Sequence, residues 1–334
     1  MSYRLNRTAK GILWSVGVIL LVVYPHVFGT YFSNFIIDFG IMALYAVSYN
    51  LLLGFTGLLS FGHAIFFAAG GYGTALVLEH IAGVPLIPAL LMGAFSSALL
   101  ALILCPIVSR VKGSAFAMLH LAFNFIMWTV ILKLRNFTGG EDGIAGYDIP
   151  SLTIPGVVSF DMADPMQFYY FAVVVLTGSI WLAWFLTKTP FGQMMVGVRD
   201  NDVRIDFLGF RVVPTKAIVY IIAAAFAGVA GGMSALFQNM VSATDVEVVH
   251  SFRPILATIV GGAGSFFGPI VGAGIFAMLE ELTSRFTEQV ELVQGIVLVV
   301  VILYFPKGFI GLLQIIRDKW ASRRITKEIA EECS

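Results

Sequence analysis

Charge is scarce in this chain: 12% of its 334 residues are Asp, Glu, Lys or Arg, against 58% hydrophobic. A soluble domain carries about 25% charged and about 45–50% apolar residues, so the composition excludes water as the solvent for most of the surface. The few charges balance, 20 basic against 20 acidic, so bulk electrostatics point to no nucleic-acid partner. Cysteine is nearly absent. Cys105 falls inside an apolar run and Cys333 in a polar tail, which makes neither a ligand pattern nor a bridge. No G-x-x-x-x-G-K-[ST] run cradles a phosphate, no H-E-x-x-H or His/Cys cluster offers a metal site, and no cofactor is indicated. Ser60 and His63 are the nearest approach to a nucleophile and base. Read as a helical pair three apart, they have no orienting acid or oxyanion donor beside them, so an intramembrane enzyme is disfavoured.

Apolar runs are what the chain has. They fall near 11–33, 35–53, 58–80, 86–108, 114–134, 168–187, 216–239, 252–264, 266–284 and 290–306. A span needs roughly 20 apolar residues, so the expected fold is an all-α polytopic membrane protein, a single domain over 1–334. Ten crossings fit. Eight fit if the short 252–264 and 266–284 runs form a re-entrant pair. The first run follows Arg4, Arg7 and Lys10 without a small-residue cleavage site and reads as an uncleaved span.

Lysine and arginine collect at the N-terminus, at 109–113, in 188–216 and in the tail, whereas 135–167 holds Glu141, Asp142, Asp148, Asp161 and Asp164 against a lone Arg135. The positive-inside rule then places both termini in the cytoplasm and the 135–167 loop outside. Residues 312–334 read as an interfacial cytoplasmic tail.

Between two spans lies Thr189-Pro190-Phe191-Gly192 through Val198-Arg199-Asp200-Asn201-Asp202, about one short helix long. It is too polar for lipid and too short for a domain, and reads as a docking element for a partner. A solvated connecting loop is the plainer alternative.

Glycine is abundant, 34 residues in all, and its placement falls into two patterns. Ala224, Gly228 and Gly232 recur every fourth residue, the spacing that lets helix backbones approach closely in lipid. Gly54 to His63 and Gly261 to Pro269 instead interrupt apolar runs. Broken helices at membrane depth are tolerated where protein or a wet cavity surrounds them, and in transporters they build the solute path. Ionisable residues within the runs are Asp38, His63, Glu79, His120 and Lys133. Asp38, Glu79 and Lys133 sit near run ends, where interfacial solvation explains them. With His63 and His120 as packing residues or solute ligands, and with Asn50, Thr56, Ser60 and Asn124 nearby, the path offers neutral polar groups and no carboxylate relay. That argues against proton or sodium coupling.

These motifs line up in order. Asn50-Leu51-Leu52-Leu53-Gly54 leads into Gly57-Leu58-Leu59-Ser60-Phe61-Gly62-His63-Ala64, then Lys112-Gly113, Ala117-Met118, Ala122-Phe123 and Thr138-Gly139-Gly140-Glu141-Asp142-Gly143-Ile144. Pro190-Phe191-Gly192, Val198 to Asp202, Leu208-Gly209, Lys216, Ala227 to Gly231, Gly261 to Ser265, Gly268-Pro269 and Phe305-Pro306-Lys307-Gly308-Phe309-Ile310-Gly311 complete the series. In this the chain resembles the permease subunits of branched-chain amino acid ABC importers, the LivM-like family, which includes urea permeases.

The resemblance implies a bacterial inner-membrane subunit that is not itself an enzyme. It would form a solute path with a second, LivH-like permease, separate ABC ATPase subunits and a periplasmic solute-binding protein. Residues 190–210 would be the coupling helix, with Gly192, Arg199, Asp200, Asn201, Asp202 and Gly209 carrying that role and Arg199 and the acids meeting the ATPase. The solute path and its hinges fall on Gly57, Gly62, His63, Asn124, Gly261, Gly264 and Pro269, and Thr138, Gly139, Gly140 and Gly143 shape an outer docking loop. The family tends to carry small residues where this chain has Arg204-Ile205-Asp206-Phe207, so the docking face is expected to be bulkier and more charged. Neutral amino acids are the expected solute. A urea or amide permease, or an ATP-independent carrier, is the alternative.

Overall fold

The computed structural model describes residues 7–81, 83–111, 113–154, 158–286, 289–304, 308–309 and 311. The readings placed on Arg4, Lys112, Phe305-Pro306-Lys307, Ile310, Cys333 and the 312–334 tail lie outside them. Among the described residues, five helices are long and apolar enough to cross a membrane: the Gly29–Thr56 part of α1 (Arg7–Thr56), α3 (Leu86–Val108), α4 (Ser114–Lys133), α6 (Pro165–Lys188) and α9 (Val212–Gln238). Shorter helices are α2 (Ala64–His80), α5 (Arg135–Thr138), α7 (Pro190–Asp200), α8 (Asp202–Phe207), α10 (Val248–Gly261), α11 (Gly268–Ser284) and α12 (Val290–Tyr304). Among the described residues there are also two short antiparallel ladders. β1 (Ile144–Ala145) pairs with β4 (Met240–Val241), and β2 (Leu152–Ile154) with β3 (Val158–Phe160).

The first two apolar runs, expected as separate segments parted near residue 34, join in α1. The break comes instead at Gly29, whose φ of 77° lies in the left-handed region open to glycine. The Ser33 hydroxyl donates to the Gly29 carbonyl at 3.1 Å and occupies an acceptor beside the kink.

α2, α3 and α9 form the tightest part of the molecule, and small residues cause it. A Cβ at Gly70 would overlap the Gly228 backbone, and one at Gly231 the Phe67 carbonyl, so α2 and α9 meet backbone on backbone. Ser97 of α3 donates to the Ala224 carbonyl at 2.6 Å. α1 packs against α9 of this trio and against α6, α10 and α11.

The hairpin α10–α11 turns through Gly262 to Phe267 beside α1, where the Asn50 amide donates to the Ser265 carbonyl at 3.1 Å. Its arms have 14 and 17 residues, about 21 and 26 Å at 1.5 Å per residue, short of the roughly 30 Å hydrocarbon layer.

The two loops of opposite charge bias lie at opposite ends of the bundle. The 188–216 segment meets the C-terminal end of α1 through Arg199 and Gly54. The 135–164 segment is tied by the β1–β4 ladder to the far end of α9. α6 begins on that far side with Asp164 as its cap, its Oδ1 accepting from the Met166 amide at 3.1 Å and Pro165 filling the first helical position. Asp164→Ala is expected to cost about 1 kcal/mol of stability, read as a lower melting temperature in detergent.

Candidate functional site

The segment between α6 and α9 is two helices, each started by its own cap. Thr189 accepts from the Gly192 amide at 3.4 Å and opens α7. A Cβ at Gly192 would overlap the Thr187 carbonyl, so the tight turn out of α6 requires glycine there. Asn201 breaks the run with extended backbone, and its Oδ1 accepts from the Arg204 amide at 2.9 Å to open α8. Gly209, at φ 84°, ends it.

Gly57, Arg199, Asp200, Asn201 and Asp202 come together around one cavity of about 390 Å³, with Thr56, Gly113 and Lys216. Arg199 Nη1 donates to the Gly54 carbonyl at 2.5 Å, and its Nε donates to Asp200 Oδ1 at 3.0 Å. Lys216 of α9 pairs with Asp202 at 3.6 Å. Arg199 and Asp202 are thus tied to the chain's own α1 and α9, while Asp200, paired with Arg199, keeps its side chain 63% accessible. Beside exposed Arg204 and Asp206, the outward side of this element carries large apolar side chains: Phe207 is 88% exposed, with Val203, Leu208 and Phe210 beside it. The bulky Ile205-Asp206-Phe207 run was the sequence signal for this face.

Deeper in, both glycine clusters interrupt helices as expected, over Gly57–His63 and Gly262–Phe267. They meet at α1, where Gly54 is pressed against the Asn50 side chain and the Ala263 carbonyl. Ser60 and His63, read from sequence as a helical pair, take separate partners because Ser60 lies in the non-helical stretch. His63 Nε2 is 3.0 Å from Ser48 Oγ. Ser60 Oγ is 2.9 Å from His120 Nδ1, whose Nε2 lies 2.7 Å from the Tyr220 hydroxyl. Both histidines are fully buried.

Gly62 packs on the His120 carbonyl beside Asn124, a buried amide with neither side-chain atom partnered. Gly261 sits against Gly268, Pro269 is buried at the start of α11, and Gly264 lies exposed at the hairpin tip. On the opposite side, Thr138 donates to the Ile131 carbonyl at 2.6 Å and accepts from the Gly140 amide at 3.3 Å. Gly139 packs on the Gly143 carbonyl, and Gly143 on that of Val241. These four residues shape the loop from inside, leaving Glu141 and Asp142 exposed.

Sequence reasoning missed a second cavity, of about 530 Å³, near the 135–164 end of the bundle. Asp38 and Tyr45 of α1, His250 and Arg253 of α10, and Glu280 of α11 line it with an aromatic wall of Phe35, Phe67 and Phe276. Arg253 Nη2 lies 3.3 Å from Glu280 Oε1. Asp38, read from sequence as an interfacial residue, faces this cavity. Arg253 and Glu280 fall within the two apolar runs 252–264 and 266–284, and their charge there was the available signal.

Tyr45 is 1% exposed and its hydroxyl has no hydrogen-bond partner; His250 Nε2 has none either. The Tyr45 ring stacks on His250 at 5.6 Å on one side and on His63 at 5.5 Å on the other. In the turn after β4, burial holds the Asp245 carboxyl above its usual range, opposed by the Ser242 amide it accepts at 3.0 Å and by Arg253. Among the described residues, no group of three or more His, Cys, Asp or Glu is placed to hold a metal ion.

Crossing-length apolar helices with interrupted ones packed among them define a multi-pass, all-α membrane protein of the transporter kind. The chain belongs to the family described as branched-chain amino acid transport system, permease component, whose profile matches residues 31–304. It is 28% identical to the high-affinity branched-chain amino acid transport system permease protein LivM of Salmonella typhimurium, over 78% of this chain and 65% of that protein. The probable LivM of Methanocaldococcus jannaschii is 22% identical over 83% of this chain and 92% of its own. The Salmonella typhimurium LivH permease is 21% identical over 80% and 91%. The chain therefore spans 65% of the length of the enterobacterial LivM proteins it matches. No solved structure matches it.

Proposed function

We propose that the protein is a transmembrane permease subunit of an ATP-driven importer for branched-chain or other neutral amino acids. It sits in a bacterial inner membrane with both termini in the cytoplasm. With a second, LivH-like permease it forms the solute path, receives solute from a periplasmic binding protein, and alternates between outward and inward access as separate ATPase subunits close and open. The observation that carries this reading is the α7–α8 element. It is capped at both starts and tied to α1 through Arg199 and to α9 through Asp202, yet it presents bare Phe207, Val203 and Leu208. An apolar knob on a braced polar element supports a docking role for a soluble partner. Its ties to α1 and α9 supply a route by which movement of that partner reaches the helices around the glycine breaks.

The test is purification in mild detergent from the native membrane, with mass spectrometry of the accompanying proteins and leucine uptake in vesicles. The expected result is a co-purifying ATPase and second permease, with uptake that needs ATP. A chain that runs alone and moves leucine without ATP overturns the reading.

A further inference from the structure

We propose that the cavity between α1, α10 and α11 is a solute-reading chamber for a zwitterionic amino acid with an apolar side chain, its carboxylate on Arg253 and its ammonium between Glu280 and Asp38. For the solute's identity this rests on the importer reading. The cavity holds about 530 Å³, within the roughly 300–1,000 Å³ of small-molecule sites.

Its groups are of the kind a zwitterion needs. Of the charges that line it, Glu281 is already engaged by Arg285 at 2.9 Å and by the Tyr31 hydroxyl. That leaves Arg253 facing Glu280 and Asp38, with neutral Ser234, Gln238 and Gln294 from α9 and α12 completing the polar rim. The Arg253–Glu280 pair is loose and half exposed, with side chains 44% and 45% accessible. Such a pair adds little to stability, so a ligand that gives each partner a better-placed opposite charge can open it. A lone anion or cation would satisfy one partner and strand the other; a zwitterion satisfies both.

The floor points the same way. The Tyr45 hydroxyl and His250 Nε2 are buried polar atoms without partners, carried by two residues that line this cavity. Buried polar atoms are nearly always paired, and two left open on one cavity are positions for a ligand's hydrogen bonds. The aromatic wall of Phe35, Phe67 and Phe276 takes the apolar side chain. Beneath the floor, His63 stacks on Tyr45 and connects the chamber to the interrupted stretch before α2.

The test is equilibrium binding of radiolabelled L-leucine to the purified full chain in lipid nanodiscs without nucleotide. Leucinamide, 4-methylpentanoate and 3-methylbutylamine serve as competitors lacking the carboxylate, the amine and the carboxyl group respectively. Leucine is expected to outcompete all three. Affinity is expected to fall on the order of tenfold to a hundredfold in R253Q and in the charge-balanced R253Q/E280Q. Y45F, which keeps the ring stack, should weaken binding several-fold and decides the matter if the charge variants do not fold.

Unchanged leucine affinity in folded R253Q/E280Q and in Y45F, no leucine binding at all, or competition by 3-methylbutylamine equal to leucine's overturns the chamber. Co-purification of the ATPase, read in the same preparations, separates the two readings. A retained ATPase with no leucine binding sinks the chamber alone, and leucine binding without an ATPase sinks the importer alone.

Discussion

Phe207→Asp is expected to abolish ATP-driven leucine uptake by the assembled transporter while leaving the chain folded and inserted. Phe207 is 88% exposed at the end of α8, and Leu208, Val203 and Phe210 continue the apolar surface at 65%, 56% and 50%. Because the ring touches little of its own chain, losing it removes little internal packing. Exposed substitutions of this kind stay within about 0.5 kcal/mol. Against a partner the sign is different. Burying a phenylalanine contributes about 1.5–3 kcal/mol, and placing an unpaired carboxylate in the same pocket costs more still. On the importer reading proposed above, affinity for the ATPase should therefore fall on the order of a hundredfold or more. The checks are co-purification, uptake in proteoliposomes and a melting curve on one preparation. Normal uptake with F207D would remove α8 from the coupling role, however well the rest of the importer reading fared.

That face was half visible in the sequence. The starts of α7 and α8 carry signals that read locally, Thr189-Pro190 and Asn201, because a cap acts within three residues of itself. What the Arg199 guanidinium does was not legible. Its acceptor, Gly54, lies 145 positions away, and no local rule links the two. The same divide runs through the core. The run expected at 86–108 is α3 to the residue, and 114–134 became Ser114–Lys133, because length and hydropathy decide a lipid-facing helix. Glycine density marked where α1 ends and where α10 turns, since the backbone there needs room that side chains deny.

Partnerships across the bundle stayed hidden. Ser60 chose His120 over the nearer His63 because the chain between Thr56 and Ala64 is not helical. Arg253 and Glu280 were averaged away inside apolar windows, although a pair of charges there is the kind of feature lipid does not tolerate without a reason.

Gly231→Val is expected to be the most destabilising single change outside the charged sites, lowering stability by about 3 kcal/mol or more, at or beyond the upper end for overpacking. A side chain at 231 would meet the Phe67 carbonyl, and the reciprocal contact, Gly70 on Gly228, is equally backbone on backbone. Neither neighbour is a rotamer that can swing away, so relief requires α2 and α9 to part. In lipid no hydrophobic drive pulls them together again, since the acyl chains are as apolar as the residues exposed, and the close approach itself is the source of attraction. Parting them reaches both ends of the molecule. α9 carries Tyr220 to His120 and Lys216 to Asp202, and α2 carries Phe67 into the wall of the chamber. The control is Gly178→Ala on the exposed face of α6, where an added Cβ meets nothing within 4 Å. There alanine should be neutral or gain up to about 1 kcal/mol from helix propensity. Melting of the two variants in the same detergent should therefore move apart by many degrees. If G231V melted with the wild type, close glycine packing of α2 and α9 would not be what holds this core together.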